Sequence, residues 1–98
     1  MERVFTVGAK RTAVGSYQGS LASVSPADLG AIVTKAVITQ AKTSIEDVEE
    51  VIFGNALPAG QGQGIARQIS LQANLSEKVP ASGVNMVCGS GLKSVMNA

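Results

Sequence analysis

The chain has no histidine and no tryptophan, a single cysteine, and only three aromatic residues among its 98. Without histidine, no Cys–His pair can form from these residues. One cysteine excludes an internal disulfide, and no cluster with metal-ligand spacing is present. Charge is sparse: 15% of residues are charged, the formal net charge is +1, and the Lys and Arg residues are scattered. That argues against a nucleic-acid partner, which needs a basic patch or stripe. No apolar stretch approaches the ~18 residues of a membrane span. The opening Met1-Glu2-Arg3-Val4-Phe5 runs straight into a strand pattern, so no signal or transit peptide is expected. A lone thiol and no leader point to a reducing, cytoplasmic setting. With 45% hydrophobic residues, the chain is a folding sequence of one small domain.

The pattern that is present alternates strands and helices. Val4, Phe5 and Val7 predict a strand over Arg3–Ala9. Lys10–Val24 is a long connection bearing glycine and serine, of a length that is usually functional or interfacial; it is expected to be enclosed. Ser25-Pro26-Ala27-Asp28 opens a helix with a serine cap, proline in the first turn and an acid beside it. Leu29, Ile32, Val33, Ala36 and Val37 form its apolar stripe. Ser44–Asp47 can cap one helical turn. Glu50–Leu57 is predicted as a second strand, with Val51, Ile52 and Phe53 as a buried run of parallel-sheet type. Pro58–Gly64 is a glycine-rich loop. Ile65, Ala66, Ile69 and Ala73 mark a second helix whose small side chains predict full enclosure. Ser82–Val87 is a third strand, and Leu92, Val95 and Met96 begin a third apolar stripe. The order β-α-β-α-β-α implies right-handed crossovers and a parallel sheet with helices on both faces. The chain stops at Ala98 inside the third helical pattern, without a cap. It therefore reads as the start of a longer protein.

Cys88 lies where the third strand meets the third helix. Gly89 and Gly91 are expected to permit the tight turn there. A helix N-terminus presents free N–H groups and a dipole that favours the thiolate, the form that attacks carbonyl carbon. The same corner supplies N–H groups for an oxyanion, as the serine nucleophile elbow does. A lone cysteine is more commonly a small buried hydrophobe; the strand–Cys–Gly-x-Gly–helix context puts the two readings level. Gly60-Gln61-Gly62-Gln63-Gly64 also lies between a strand and a helix. It lacks the G-x-G-x-x-G spacing of a dinucleotide site and follows the wrong strand, so it reads as a tight turn. Arg67 is polar on an otherwise apolar helix, which suggests a buried ion pair or a subunit contact.

At Asn85-Met86-Val87-Cys88-Gly89-Ser90-Gly91-Leu92 the chain resembles the thiolases. Arg11-Thr12-Ala13-Val14-Gly15, the segment Val51–Gly60 and Ala66-Arg67-Gln68 match in the expected order, so the resemblance spans the whole chain. It implies a layered α/β fold, with residues 1–98 as the start of the N-terminal domain. It implies that Cys88 is the nucleophile, taking an acyl group from an acyl-CoA. A second acetyl-CoA, deprotonated at its methyl, then attacks the thioester to give acetoacetyl-CoA, reversibly. The Cys88 N–H is expected in the oxyanion hole. The activating histidine, the second cysteine and the asparagine that holds a water belong to later motifs absent here, and Asn85 does not take that asparagine's role. No cofactor is implied, since coenzyme A thioesters are substrates. The implied partners are acetyl-CoA, acetoacetyl-CoA, CoA, the remainder of the chain, and further copies in a homodimer or homotetramer.

Three other readings are open. A decarboxylating condensing enzyme of ketoacyl synthase type also uses an elbow cysteine. A serine hydrolase would use Ser90, but G-x-S-x-G fails because Gly89 and Gly91 flank it directly. The chain could also be a non-catalytic assembly piece.

Overall fold

The structure is a computed structural model and describes residues 2–98. Helix α1 spans Pro26–Ala41, a 3-10 turn covers Ile45–Asp47, and strand β1 is Val51–Gly54. Helix α2 is Ile65–Gln72, strand β2 is Ala81–Val84, and helix α3 is Ser90–Asn97. The two strands pair in parallel, from Val51 opposite Ala81 to Gly54 opposite Val84. They form one β-α-β unit, with α1 before it and α3 after it. Side chains alternate across a strand. Val51 and Phe53 turn to one face and pack with Ala31, Ala66, Ala73 and Leu75. Gly54 turns to the other, where a Cβ would collide with the backbone of Ser90 and Gly91. Helices thus cover both faces of the strand pair, in the α/β arrangement expected.

Local chemistry sets the helix ends. Ser25 caps α1, its hydroxyl accepting from the Asp28 N–H at 3.0 Å, with Pro26 in the first turn. Just past the end of α2, Asn74 takes the left-handed conformation, and the Leu75 N–H reaches back to the Ser70 carbonyl at 2.9 Å. That turn buries Leu75 in the core. Before β1, the Asp47 carboxylate accepts from the Ser44 N–H at 3.2 Å. Glu46 beside it is held below its ordinary carboxylate range, mainly by the Ser44 hydroxyl.

Several expectations fail, each for a physical reason. Arg3–Ala9 is not a strand: it makes no ladder, and Val4, Phe5 and Val7 are exposed. Apolar alternation says which side chains favour burial but supplies no pairing edge. The segment is held by the Gln40 side chain, which accepts from the Ala9 N–H at 2.8 Å. The connection Lys10–Val24 is mostly exposed, with Tyr17 at 92%, and it closes on its own turn bonds, such as Gly19 N–H to the Ser16 carbonyl at 2.8 Å. The stripe on α1 is shifted. Ala27, Gly30, Ala31 and Thr34 are buried, while Ile32 is exposed. Small residues let α1 approach α2 so closely that a Cβ on Gly30 would strike Ile69. Helix α2 is enclosed on one face only, since Leu71 and Gln72 are exposed. On α3 the buried residues are Ser90 and Ser94, whereas Leu92, Val95 and Met96 face outward. Only small side chains fit where α3 meets the β1 backbone.

These contacts separate two glycines. Gly54→Ala forces Cβ into backbone, which cannot yield, and is expected to cost about 2–3 kcal/mol. Gly30→Ala meets a rotatable Ile69 side chain and gains helix propensity, and is expected to cost less than about 1.5 kcal/mol. Denaturant unfolding of the two variants checks the ranking.

Candidate active site

Between β2 and α3 the backbone makes a short strained turn. Asn85 opens it, its side-chain oxygen accepting from the Val87 N–H at 3.1 Å. The Gly89 N–H donates to the Met86 carbonyl at 3.0 Å, and the Ser90 N–H to the Val87 carbonyl at 3.2 Å. The Ser90 hydroxyl accepts from the Met86 N–H at 2.8 Å and donates to the Val87 carbonyl at 2.6 Å. Among the described residues, the N–H of Cys88 has no acceptor, although its neighbours on both sides are bonded. Cys88 itself is exposed.

This differs from the expected corner in two ways. The strand ends at Val84, so Cys88 sits on the turn, two residues before the first residue of α3. The positive φ is carried by Val87, at +48°, while the cap residue Gly89 has φ −86°. A β-branched residue there is an outlier. A Cβ on Gly89 would lie 2.6 Å from the rotatable Met86 methyl, whereas one on Gly91 would meet open space. Ser90 is 3% exposed and both of its bonds are committed, which removes it as a hydrolase nucleophile.

The glycine-rich loop forms a second feature. Gly60, Gly62 and Gly64 all have positive φ. The Gln68 amide nitrogen ties the loop down, donating to the carbonyls of Gln61 at 2.8 Å and Gln63 at 2.9 Å. The Asn55 amide donates to the Gln61 side chain at 2.6 Å. A cleft of about 230 Å³ opens between this loop and the carboxyl ends of the strands, lined by Asn55, Pro58, Gln61, Ile65, Val84 and Asn85. That end of a parallel strand pair is where α/β folds bind ligands. Cys88 does not line it. Arg67 is half-buried and its Nη1 lies 3.4 Å from the Ser70 hydroxyl. Among the described residues it meets no carboxylate, so no ion pair forms within them. The described residues contain no group of His, Cys, Asp and Glu able to hold a metal.

The family model for the thiolase N-terminal domain matches residues 4–98. The chain belongs to the thiolase family. It is 56% identical over 95 residues to an acetyl-CoA acetyltransferase of Escherichia coli strain K12, covering 97% of this chain and 24% of that protein. It is 51% identical over 98 residues to an acetyl-CoA acetyltransferase of Cupriavidus necator, covering 100% of this chain and 25% of that protein. A cytosolic acetyl-CoA acetyltransferase of Rattus norvegicus is 48% identical over 92 residues, covering 94% and 23%. The chain thus spans about a quarter of the length of the curated relatives it matches. Among solved structures, the Acat5 thiolase of Ascaris suum in complex with coenzyme A superposes with a TM-score of 0.90 at 38% identity, over 93% of this chain and 24% of that one. The thiolase-like α/β fold expected from the sequence is therefore established.

Sequence reasoning missed the Ser90 clamp, the strain at Val87 and the Gln68 tie. Ser90 between two glycines was the available signal, since a polar side chain in an apolar elbow needs partners. Gln68→Met keeps the side-chain length and removes both loop bonds. It is expected to loosen residues 58–64 by about 1–2 kcal/mol, seen as roughly 5- to 30-fold faster amide exchange in that loop than in α1.

Proposed function

We propose that this chain is part of an acetyl-CoA C-acetyltransferase that condenses two acetyl-CoA into acetoacetyl-CoA and CoA, reversibly, through an acyl-cysteine on Cys88. The observation that carries the reading is the exposed Cys88 thiol beside its own backbone N–H, which has no acceptor among the described residues, on a turn with the thiolase sequence. The names of the relatives support the substrate class, and the coenzyme A complex of the Ascaris suum thiolase supports the ligand.

The chemistry follows from those atoms. The Cys88 sulfur attacks the thioester carbonyl, and the negative charge that develops on oxygen meets the Cys88 N–H. The C–S bond to CoA breaks, and the proton lost by Cys88 leaves on the CoA thiol. One thioester replaces another, so the step is nearly balanced and runs both ways. In the second half, the acetyl-CoA carbanion attacks acetyl-Cys88, forms the carbon–carbon bond and releases the cysteine. The base for that proton must come from elsewhere in the subunit, because these residues contain no histidine and no second cysteine. The same reading carries assembly into a homodimer or homotetramer, with Arg67 and the Gly60–Arg67 stretch near the subunit contact, and a cytoplasmic location. The described residues contain no helix long and apolar enough to cross a membrane.

In the full-length protein, incubation with acetyl-CoA is expected to add one acetyl group, located on Cys88 by mass spectrometry. Cys88→Ser is expected to abolish turnover; an acetyl group elsewhere with turnover surviving that substitution would sink the reading. The 98 residues alone are expected to show no thiolysis of acetoacetyl-CoA, measured as loss of the substrate's enolate absorbance.

A further inference from the structure

We propose that Ser90 is a positioning residue for acyl transfer: its hydroxyl holds Val87 in the left-handed conformation, which leaves the Cys88 N–H free for the oxyanion. The inference rests on the reading of Cys88 as the acyl acceptor.

Three observations converge on it. The first is the direction of the Ser90 bonds. A serine near a helix start ordinarily caps the helix N–H groups or bonds back to a carbonyl of its own turn. Ser94 does the latter, donating to the Gly91 carbonyl at 2.7 Å. The Ser90 hydroxyl bonds three residues back in the same way, to the Val87 carbonyl at 2.6 Å, but it also accepts from the Met86 N–H at 2.8 Å and so grips the turn at two points. The two grips bracket Val87. The second observation is the strain between them. Val87 at φ +48° is a β-branched residue where glycine is the ordinary choice. A residue held in such a region persists only when its surroundings over-determine it. Here the Ser90 hydroxyl, the Ser90 N–H and the Asn85 side chain all bond to Met86 or Val87. The third is the consequence one residue on. Met86, Val87, Gly89 and Ser90 each spend their N–H within the turn, and Cys88 does not. If Val87 relaxes to an extended or right-handed conformation, the peptide between Val87 and Cys88 rotates and carries that N–H with it.

The acyl step needs this N–H, because a carbonyl oxygen gains negative charge. Alkylation of the same sulfur does not: iodoacetamide forms the S–CH₂ bond as iodide leaves, with the thiol proton lost to solvent. The two reactions therefore separate placement of the N–H from mere accessibility of the thiol. In the full-length protein, Ser90→Ala is expected to slow acetyl transfer from acetyl-CoA to Cys88 by about 10- to 100-fold. Carbamidomethylation of Cys88 is expected to stay within about threefold, since no oxyanion forms. Adding Val87→Gly, which tolerates the left-handed conformation without a clamp, is expected to restore acetyl transfer to within about fivefold of the native rate. A purely space-filling role for Ser90 would not be rescued by a glycine three residues away.

Acetyl transfer within threefold of native in Ser90→Ala would overturn the proposal, and so would equal loss of both reactions with no rescue by Val87→Gly. Should Ser90→Ala not fold, the double variant decides against Val87→Gly alone. Rates within about fivefold of each other support the clamp, and a more than tenfold deficit overturns it. A native protein acetylated at another residue would remove the reading of Cys88 itself, and with it this role for Ser90. Native acetylation on Cys88 with an indifferent Ser90→Ala removes the clamp alone.

Discussion

The close approach of two backbones at Gly54 governs the rest of this structure. Strand β1 ends where α3 begins, and the space between Gly54 and the Ser90–Gly91 peptide is too small for a methyl group. That contact presses the start of α3 onto the strand and buries Ser90. Burial commits the hydroxyl to partners, because a buried polar group without a hydrogen bond is costly. The only nearby backbone outside the helix that it uses is the Met86–Val87 turn. From one missing Cβ there follows a chain of placement: helix against strand, serine into turn, valine into strain, and the Cys88 N–H left over.

The architecture was largely legible in the sequence because its signals are local. The Ser25-Pro26 cap, the β-branched run from Val51 and the small-residue helix at Ile65 each declare an element through its own side chains. What could not be read was which face each element buries. Hydropathy puts large apolar residues on the inside of α1 and α3, and the structure buries Gly30, Ala31, Ser90 and Ser94 there. Helix approach is set by the smallest residues when backbones must nearly touch, and hydropathy patterns weigh the largest. The failed strand at Arg3–Ala9 has a related cause: pairing depends on an edge elsewhere in the chain, which period-two alternation does not encode.

The turn around Cys88 was legible for a different reason. The combination of strand, cysteine, glycine, serine, glycine and helix is a local description of an elbow. Its mechanism was not legible, since the sequence attributes the tight turn to Gly89 and Gly91 whereas the positive φ falls on Val87. Arg67 shows the limit of reasoning from residue type. A half-buried guanidinium suggests a carboxylate, yet among the described residues its side chain meets the Ser70 hydroxyl at 3.4 Å.

The central claim is that the Val87–Cys88 peptide is held so that its N–H faces the charge developed in acyl transfer. The most direct measurement is a crystal structure of the full-length protein trapped with an acetyl group on Cys88. The expected result is Val87 at positive φ and the acetyl oxygen about 2.7–3.1 Å from the Cys88 nitrogen. A Cys88 N–H bonded instead to a protein carbonyl, with the acetyl oxygen turned away from it, would contradict the account.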